Sequence, residues 1–179
     1  TSTSGPGVCL KSEAMNLAVI TELPLVVLNV QRGGPSTGLP TKSEQTDLLQ
    51  ALFGRNGESP MPVIAATSPT DCFDAAYMAS KIALEHMTPV VLLTDAFIAN
   101  GSGAFRLPNL AEYAAINPPY VPEELRGTWT PYQRQEENGV RYWAVPGREG
   151  FQHILGGLEQ DNKTGAISTD PDNHDLMTR

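Results

Sequence analysis

Three short, almost wholly apolar runs alternate with segments of helical spacing: Leu23–Val30 (LPLVVLNV), Met61–Ala66 (MPVIAA) and Pro89–Thr94 (PVVLLT). No other feature limits the possible folds as strongly. Runs of this length, rich in Val, Ile and Leu, suit buried strands, and strands joined through helices stack in parallel. A helix over Val8–Thr21 follows from Leu10, Ala14, Leu17 and Ala18, which recur on one helical face. A second helix is expected over Lys42–Phe53. Thr41 and Glu44 form a capping box at its start, and Gly54 fits the left-handed position after its end. A third opens with Ser68 as cap, Pro69 in the first position and Asp71 near the positive end of the helix dipole. Its residues Cys72, Ala76, Ala79 and Ala83 form a small-residue face suited to lie close to a sheet. The expected class is α/β, an open parallel sheet occupying residues 1–105.

The alternation stops near Arg106. Prolines punctuate the rest, and Trp129, Tyr132, Tyr142, Trp143 and Phe151 are scattered without periodicity. Residues 106–179 read as an irregular but ordered linker, too aromatic for plain disorder, with a polar stretch over 156–174 expected to be mobile.

Charge and cysteine usage remove several function classes. A net charge of −8 argues against nucleic acid, which requires clustered Lys and Arg. No apolar run approaches the roughly 18 residues of a membrane span. Cys9 and Cys72 stand far apart, outside any cluster-ligand spacing, so neither a disulfide framework nor an iron–sulfur cluster on this chain is expected. His86, His153 and His174 are too dispersed to propose a metal site. A cytoplasmic protein is the default. The chain opens on Thr1 and closes on Arg179 without a capping signal, and reads as a piece of a longer protein.

In open parallel sheets, ligands bind beyond the carboxyl ends of strands. The first such end is followed by Gln31-Arg32-Gly33-Gly34-Pro35-Ser36-Thr37-Gly38-Leu39-Pro40-Thr41. Gly33 and Gly38 have P-loop spacing, but Leu39-Pro40 stands where Lys-Ser/Thr is required, so a nucleotide-binding loop is rejected. The Arg32 guanidinium suits two-point recognition of a carboxylate or phosphate; the plainer alternative is a surface or structurally paired arginine. For Thr41, helix capping alone accounts for the residue. Ser4-Gly5-Pro6-Gly7 offers backbone N–H groups to a ligand, or is simply a tight strand-to-helix turn. For Asp95, a loop or capping role is favoured. Pattern alone therefore ends at a parallel α/β unit with an anion site around Arg32.

Long stretches go further. The stretch from TSGPGVCLKSEAMNLAVITELPLVVLNV through QRGGPSTGLPTKSEQTDLLQALFGRNGE resembles the alpha subunit of 2-oxoacid:ferredoxin oxidoreductases, most of all the 2-oxoglutarate type. So do SPTDCFDAAYMASKIALEHMTPVVLLTDAFIANGS and WAVPGREGFQHILGGLEQD. The resemblance implies the pyrimidine-binding domain of the thiamine-diphosphate-binding fold, N-terminally truncated, with 106–179 leading to a further domain. It implies oxidative decarboxylation of a 2-oxoacid to an acyl-CoA, with electrons passing to ferredoxin. The cofactor would be shared with a beta subunit that carries Mg²⁺ and an iron–sulfur cluster. Arg32 matches the family's carboxylate-binding arginine and Thr41 its hydroxyl partner. Ser4, Gly5, Pro6 and Gly7 match the turn beside the cofactor pyrimidine. The family's activating glutamate and a YPITP-like segment lie upstream of that turn, so the resemblance implies no catalytic residue within this chain and no activity for it in isolation. A non-catalytic assembly domain on the same scaffold is the alternative, as is the same chemistry on pyruvate or a branched-chain 2-oxoacid.

Overall fold

The computed structural model describes residues 1–179. Four parallel strands form one sheet in the order β1-β2-β4-β3. They are β1 (Ser2–Thr3), β2 (Leu25–Gln31), β3 (Val63–Ala65) and β4 (Pro89–Asp95). All three apolar runs are strands. Ser2–Thr3, not singled out from the sequence, is a fourth, with Thr3 registered against Asn29 of β2. The strand buried throughout is β4, because it lies between β2 and β3. In β2 burial alternates, with Val27, Asn29 and Gln31 turned inward.

Two apolar cores flank the sheet. On one face Val8, Met15, Val27, Ala51, Met61, Val91 and Leu93 pack together under α1 (Gly5–Leu10), α2 (Ser12–Ile20) and α3 (Leu48–Phe53). On the other, Ala75, Ala79 and Ala83 of α4 (Cys72–His86) lie on Val90, Leu92 and Ala66. Ala75 occupies the place expected for Ala76, because α4 begins at Cys72. Ser68 still shapes its entry, its hydroxyl accepting from the Asp71 N–H at 3.1 Å. The Asp71 carboxylate turns back to the Thr67 N–H at 2.7 Å. A short α5 (Ala96–Asn100) follows β4.

The first expected helix is two. Lys11 adopts φ −123° and ψ 18°, and its N–H closes a tight turn onto the Val8 carbonyl. The Ser12 hydroxyl donates to the Cys9 carbonyl at 3.4 Å, offering the backbone an alternative to a continuing helix. The break shifts the phase, so Val8, Met15 and Ala18 are buried while Leu10 is 82% exposed. The second expected helix begins six residues late, at Leu48 rather than Lys42. Gly54 after it has φ −81°, outside the left-handed region, so that expectation fails too.

Residues 106–179 carry little regular structure until α6 (Pro171–Thr178). They build a small core of their own from Val121, Ala144 and Phe151 with Leu125, Trp129 and Tyr142. The 156–174 stretch is not free of the body: Asp170 caps α6 through the Asp172 N–H, and His174 bridges two carboxylates. Its Nδ1 lies 2.7 Å from Glu159 and its Nε2 3.0 Å from Glu58. The hydrogen bonds to Glu159 and then Glu58 raise the His174 pKa above its ordinary 6.5. The folded state thus binds this proton more tightly than the unfolded chain. The stabilisation is complete below the ordinary value and is lost as pH rises through the raised one. Thermal unfolding followed upward from about pH 6 should show a decline in Tm that His174→Gln removes; identical pH profiles would refute the bridge.

Candidate functional site

The carboxyl ends of β1, β2 and β4 bring the predicted residues together. β2 ends at Gln31, paired in register with Asp95, the last residue of β4. Arg32 leaves the sheet immediately after. The loop that follows closes on itself: the Gly33 N–H donates to the Lys42 carbonyl at 2.9 Å, and the Leu39 N–H donates to the Gly33 carbonyl at 2.8 Å. That neck sets Thr41 and Arg32 beside the same backbone pair. Gly38 must be glycine here. It has φ +57°, and a Cβ on it would stand 1.8 Å from the Gly33 carbonyl oxygen.

Arg32 is partly buried, its Nε is enclosed without a hydrogen-bond partner, and it makes no ion pair. The structural-pair alternative therefore has no partner to support it. A guanidinium at a strand end with its Nε enclosed and no counter-charge is a candidate to receive an anion. Thr41 departs from the sequence expectation. Its φ is +61° and it caps no helix. The Glu44 carboxylate, expected to complete a capping box with it, accepts instead from the Gly34 N–H at 2.8 Å. With capping gone, the exposed Thr41 hydroxyl is free to face a ligand.

Side chains at the strand ends hold the segment that follows. Gln31 accepts from the Asp47 N–H at 3.0 Å and donates to the Thr94 carbonyl at 3.2 Å. Asn29 donates to the Asp47 carboxylate at 3.0 Å. Gln45 donates to Asp95 at 2.7 Å. The other Asp95 oxygen accepts from the Phe97 and Ile98 N–H groups at 2.7 and 2.9 Å, capping α5 as favoured from the sequence. Burial pushes the Asp95 carboxyl up, but the bonds from Gln45, Ile98 and Phe97 together outweigh it and hold the group below its ordinary value. Asn29, Gln31, Gln45 and Asp47 were not singled out from the sequence, and Glu44 only as half of the capping box. Asn29 and Gln31 carry the one available signal, amides interrupting an otherwise apolar strand.

The Ser4–Gly7 turn adjoins this network. Ser4 stands at the N-cap of α1 without a capping side-chain bond, and Pro6 takes the first turn. A Cβ on Gly5 would lie 2.7 Å from the Asp47 carboxylate, and one on Gly7 1.8 Å from the Thr3 hydroxyl. Both glycines are thus demanded by the protein's own packing. The first-turn N–H groups of α1 have no intrahelical partner. Nearby, Asn29 Oδ1 is buried without one.

A cavity of about 650 Å³ lies at the opposite, amino edge of the sheet, among Glu22, Met61, Met87, Arg134 and Leu176. Its one buried carboxylate is already paired with Arg134. The carboxyl edge, with its unpaired guanidinium, is the better candidate.

Comparison with known proteins gives the family. The family described as pyruvate flavodoxin/ferredoxin oxidoreductase, thiamine diphosphate-binding, matches residues 1–169. The chain is 56% identical to the 2-oxoglutarate oxidoreductase subunit KorA of Mycobacterium tuberculosis, over 100% of this chain and 27% of that protein. It is 31% identical to the 2-oxoglutarate synthase subunit KorA of Methanothermobacter marburgensis, over 100% of this chain and 46% of that protein. It therefore spans between about a quarter and a half of these curated relatives. Among solved structures it resembles the 2-oxoglutarate:ferredoxin oxidoreductase of Magnetococcus marinus, determined with 2-oxoglutarate, coenzyme A and succinyl-CoA bound. The TM-score is 0.87 and the identity 38%, over 100% of this chain and 31% of that one. No helix is long and apolar enough to cross a membrane. The chain belongs to the thiamine-diphosphate-binding family of pyruvate flavodoxin/ferredoxin oxidoreductases.

Proposed function

We propose that this chain is the pyrimidine-binding part of an alpha subunit of 2-oxoglutarate:ferredoxin oxidoreductase, and that it holds the substrate carboxylate through Arg32 and Thr41. The observation that carries the reading is the enclosed, unpaired Arg32 beside the closed loop neck. Residues 1–105 would form the cofactor-facing domain and 106–179 the linker to a further domain. A beta subunit would hold the diphosphate through Mg²⁺ and carry the iron–sulfur cluster, and the assembly would work in the cytoplasm with ferredoxin as electron acceptor.

The residues present suit that role. Ser4, the free first-turn N–H groups of Gly5 and Gly7 and the unpartnered Asn29 Oδ1 give a mixed donor and acceptor set, as a ring bearing both amine and aza nitrogens requires. Thiamine diphosphate, when bound, supplies the nucleophile and the electron sink for decarboxylation. Arg32 orients the substrate by two-point contact with a carboxylate. Thr41 adds a hydroxyl donor to the same group. The Gln45–Asp95 and Gln31–Asp47 contacts keep the loop from drifting.

The test is CoA-dependent reduction of a viologen dye by the complete enzyme, with 2-oxoglutarate, pyruvate and 2-oxoisovalerate offered separately. Highest kcat/KM with 2-oxoglutarate is the expected outcome. Silence with all three, in an enzyme shown to hold thiamine diphosphate and its clusters, would overturn the reading.

A further inference from the structure

Residues 41–47 are held in a conformation that their own sequence resists. Thr41-Lys42-Ser43-Glu44 is a capping-box sequence and Leu48–Phe53 is already helical, so local preference is for one helix running from Lys42. The segment is instead irregular, and Thr41 sits at φ +61°, costly for a β-branched residue. Contacts to the sheet edge hold it there: Gln45 to Asp95 at 2.7 Å, the Asp47 N–H to Gln31 at 3.0 Å, and Glu44 to the Gly34 N–H at 2.8 Å. Conflict between local preference and tertiary placement, compensated by specific contacts, marks functional segments.

We infer that the part-buried Gln45–Asp95 hydrogen bond is a positioning clamp, which keeps Thr41 beside Arg32 and prevents 42–47 from winding into an extended α3. The inference rests on the reading of Arg32 and Thr41 as the substrate-carboxylate pair. Asp95 suits the part because it is 3% exposed, with one oxygen fixed by the backbone of α5 and the other left for Gln45. Once the helix forms, Thr41 becomes its cap and its hydroxyl turns to the Glu44 N–H, away from the ligand.

A reciprocal swap in the complete enzyme tests this. Gln45→Glu sets a second carboxylate against Asp95, and like charges at hydrogen-bond distance repel, so KM for the 2-oxoacid should rise about tenfold or more while KM for CoA stays unchanged. Adding Asp95→Asn restores a carboxylate–amide bond with the donor reversed, and retains an oxygen to cap α5. KM should then return to within about threefold of the parent. A merely structural role for the pair would lower Tm and leave the KM for the 2-oxoacid untouched, which overturns the clamp. So does a double variant whose KM stays as high as that of Gln45→Glu. Arg32→Ala, run alongside, separates the two claims. A raised KM there with no response to the swap removes the clamp alone, whereas no response to either removes the carboxylate site itself.

Discussion

Arg32→Ala will raise the KM for the 2-oxoacid by about 30- to 1,000-fold, equivalent to roughly 2–4 kcal/mol for losing a charged two-point contact. The guanidinium has no structural debt to the fold: it forms no ion pair and its Nε is enclosed without a partner. Deleting it therefore strands no carboxylate, and folding should be spared. Arg32→Lys should recover only part of the loss, since an ammonium is a point charge without the planar fork. KM for CoA should not move in either variant. Steady-state kinetics of the complete enzyme, with each substrate varied separately, decide the matter. A KM for the 2-oxoacid within about threefold of the parent would remove Arg32 from the binding site. Thr41→Val, which deletes one neutral donor, should show the same pattern at smaller size, about 1 kcal/mol.

Strand positions were legible because short, β-branched-rich apolar runs bounded by turn signals favour buried strands, and β2, β3 and β4 fall on the three runs. The layered α/β class followed from their alternation with helices. The helix starts were less legible, for a reason visible at Thr41. A capping box is a local signal worth about 1 kcal/mol, while the contacts drawing 44–47 onto Gln31, Gly34 and Asp95 are tertiary and leave no mark at short range. The first helix differs: its break at Lys11 is local, with the Ser12 hydroxyl bonding three residues back to Cys9, and the apolar periodicity ran across it. Arg32 could be singled out because a guanidinium directly after a buried strand is unusual. Asp95 was placed correctly as a cap, but its hold on Gln45 could not be foreseen, since the two meet only once β2 and β4 are paired. In α6 the signal was present and overlooked: Asp170 followed by Pro171 is a cap with proline in the first helical position.

Glu22→Ala will destabilise the fold by about 3–5 kcal/mol, the cost of leaving buried guanidinium charge without its counter-ion. Glu22 follows α2 at the amino edge, 8% exposed and at φ 48°. Arg134 reaches it from the linker with both terminal nitrogens. Arg141, fully buried, donates from Nε to the Glu22 carbonyl at 3.2 Å and from Nη1 to the Pro131 carbonyl at 2.7 Å, over the Tyr132 ring. The Glu22 carboxylate thus pairs with Arg134 while its main-chain carbonyl holds Arg141, and the two arginines together fasten residues 131–141 to the end of α2. Burial pushes the Glu22 carboxyl above its ordinary 4.5, by more than Arg134 and Arg141 draw it down. The ion cluster is therefore not a net source of stability: with a raised folded pKa, the contribution is greatest below the ordinary value and declines as pH rises through the raised one. Its removal is costly for a different reason, the Arg134 guanidinium left without its counter-ion. That predicts an asymmetry. Arg134→Met should cost less than Glu22→Ala, because the Arg141 charge still offsets the carboxylate, whereas losing Glu22 strands Arg134 and removes the negative charge nearest Arg141, although Arg141 keeps its main-chain bond. Glu22→Gln, which keeps the shape and the φ strain but not the charge, should fall near Glu22→Ala. Chemical denaturation of the variants, compared at one pH near neutrality, measures all of these. Equal losses for Glu22→Ala and Arg134→Met, or a loss below about 1 kcal/mol for Glu22→Gln, would show that the cluster is solvated and that the linker is held by its aromatic core instead.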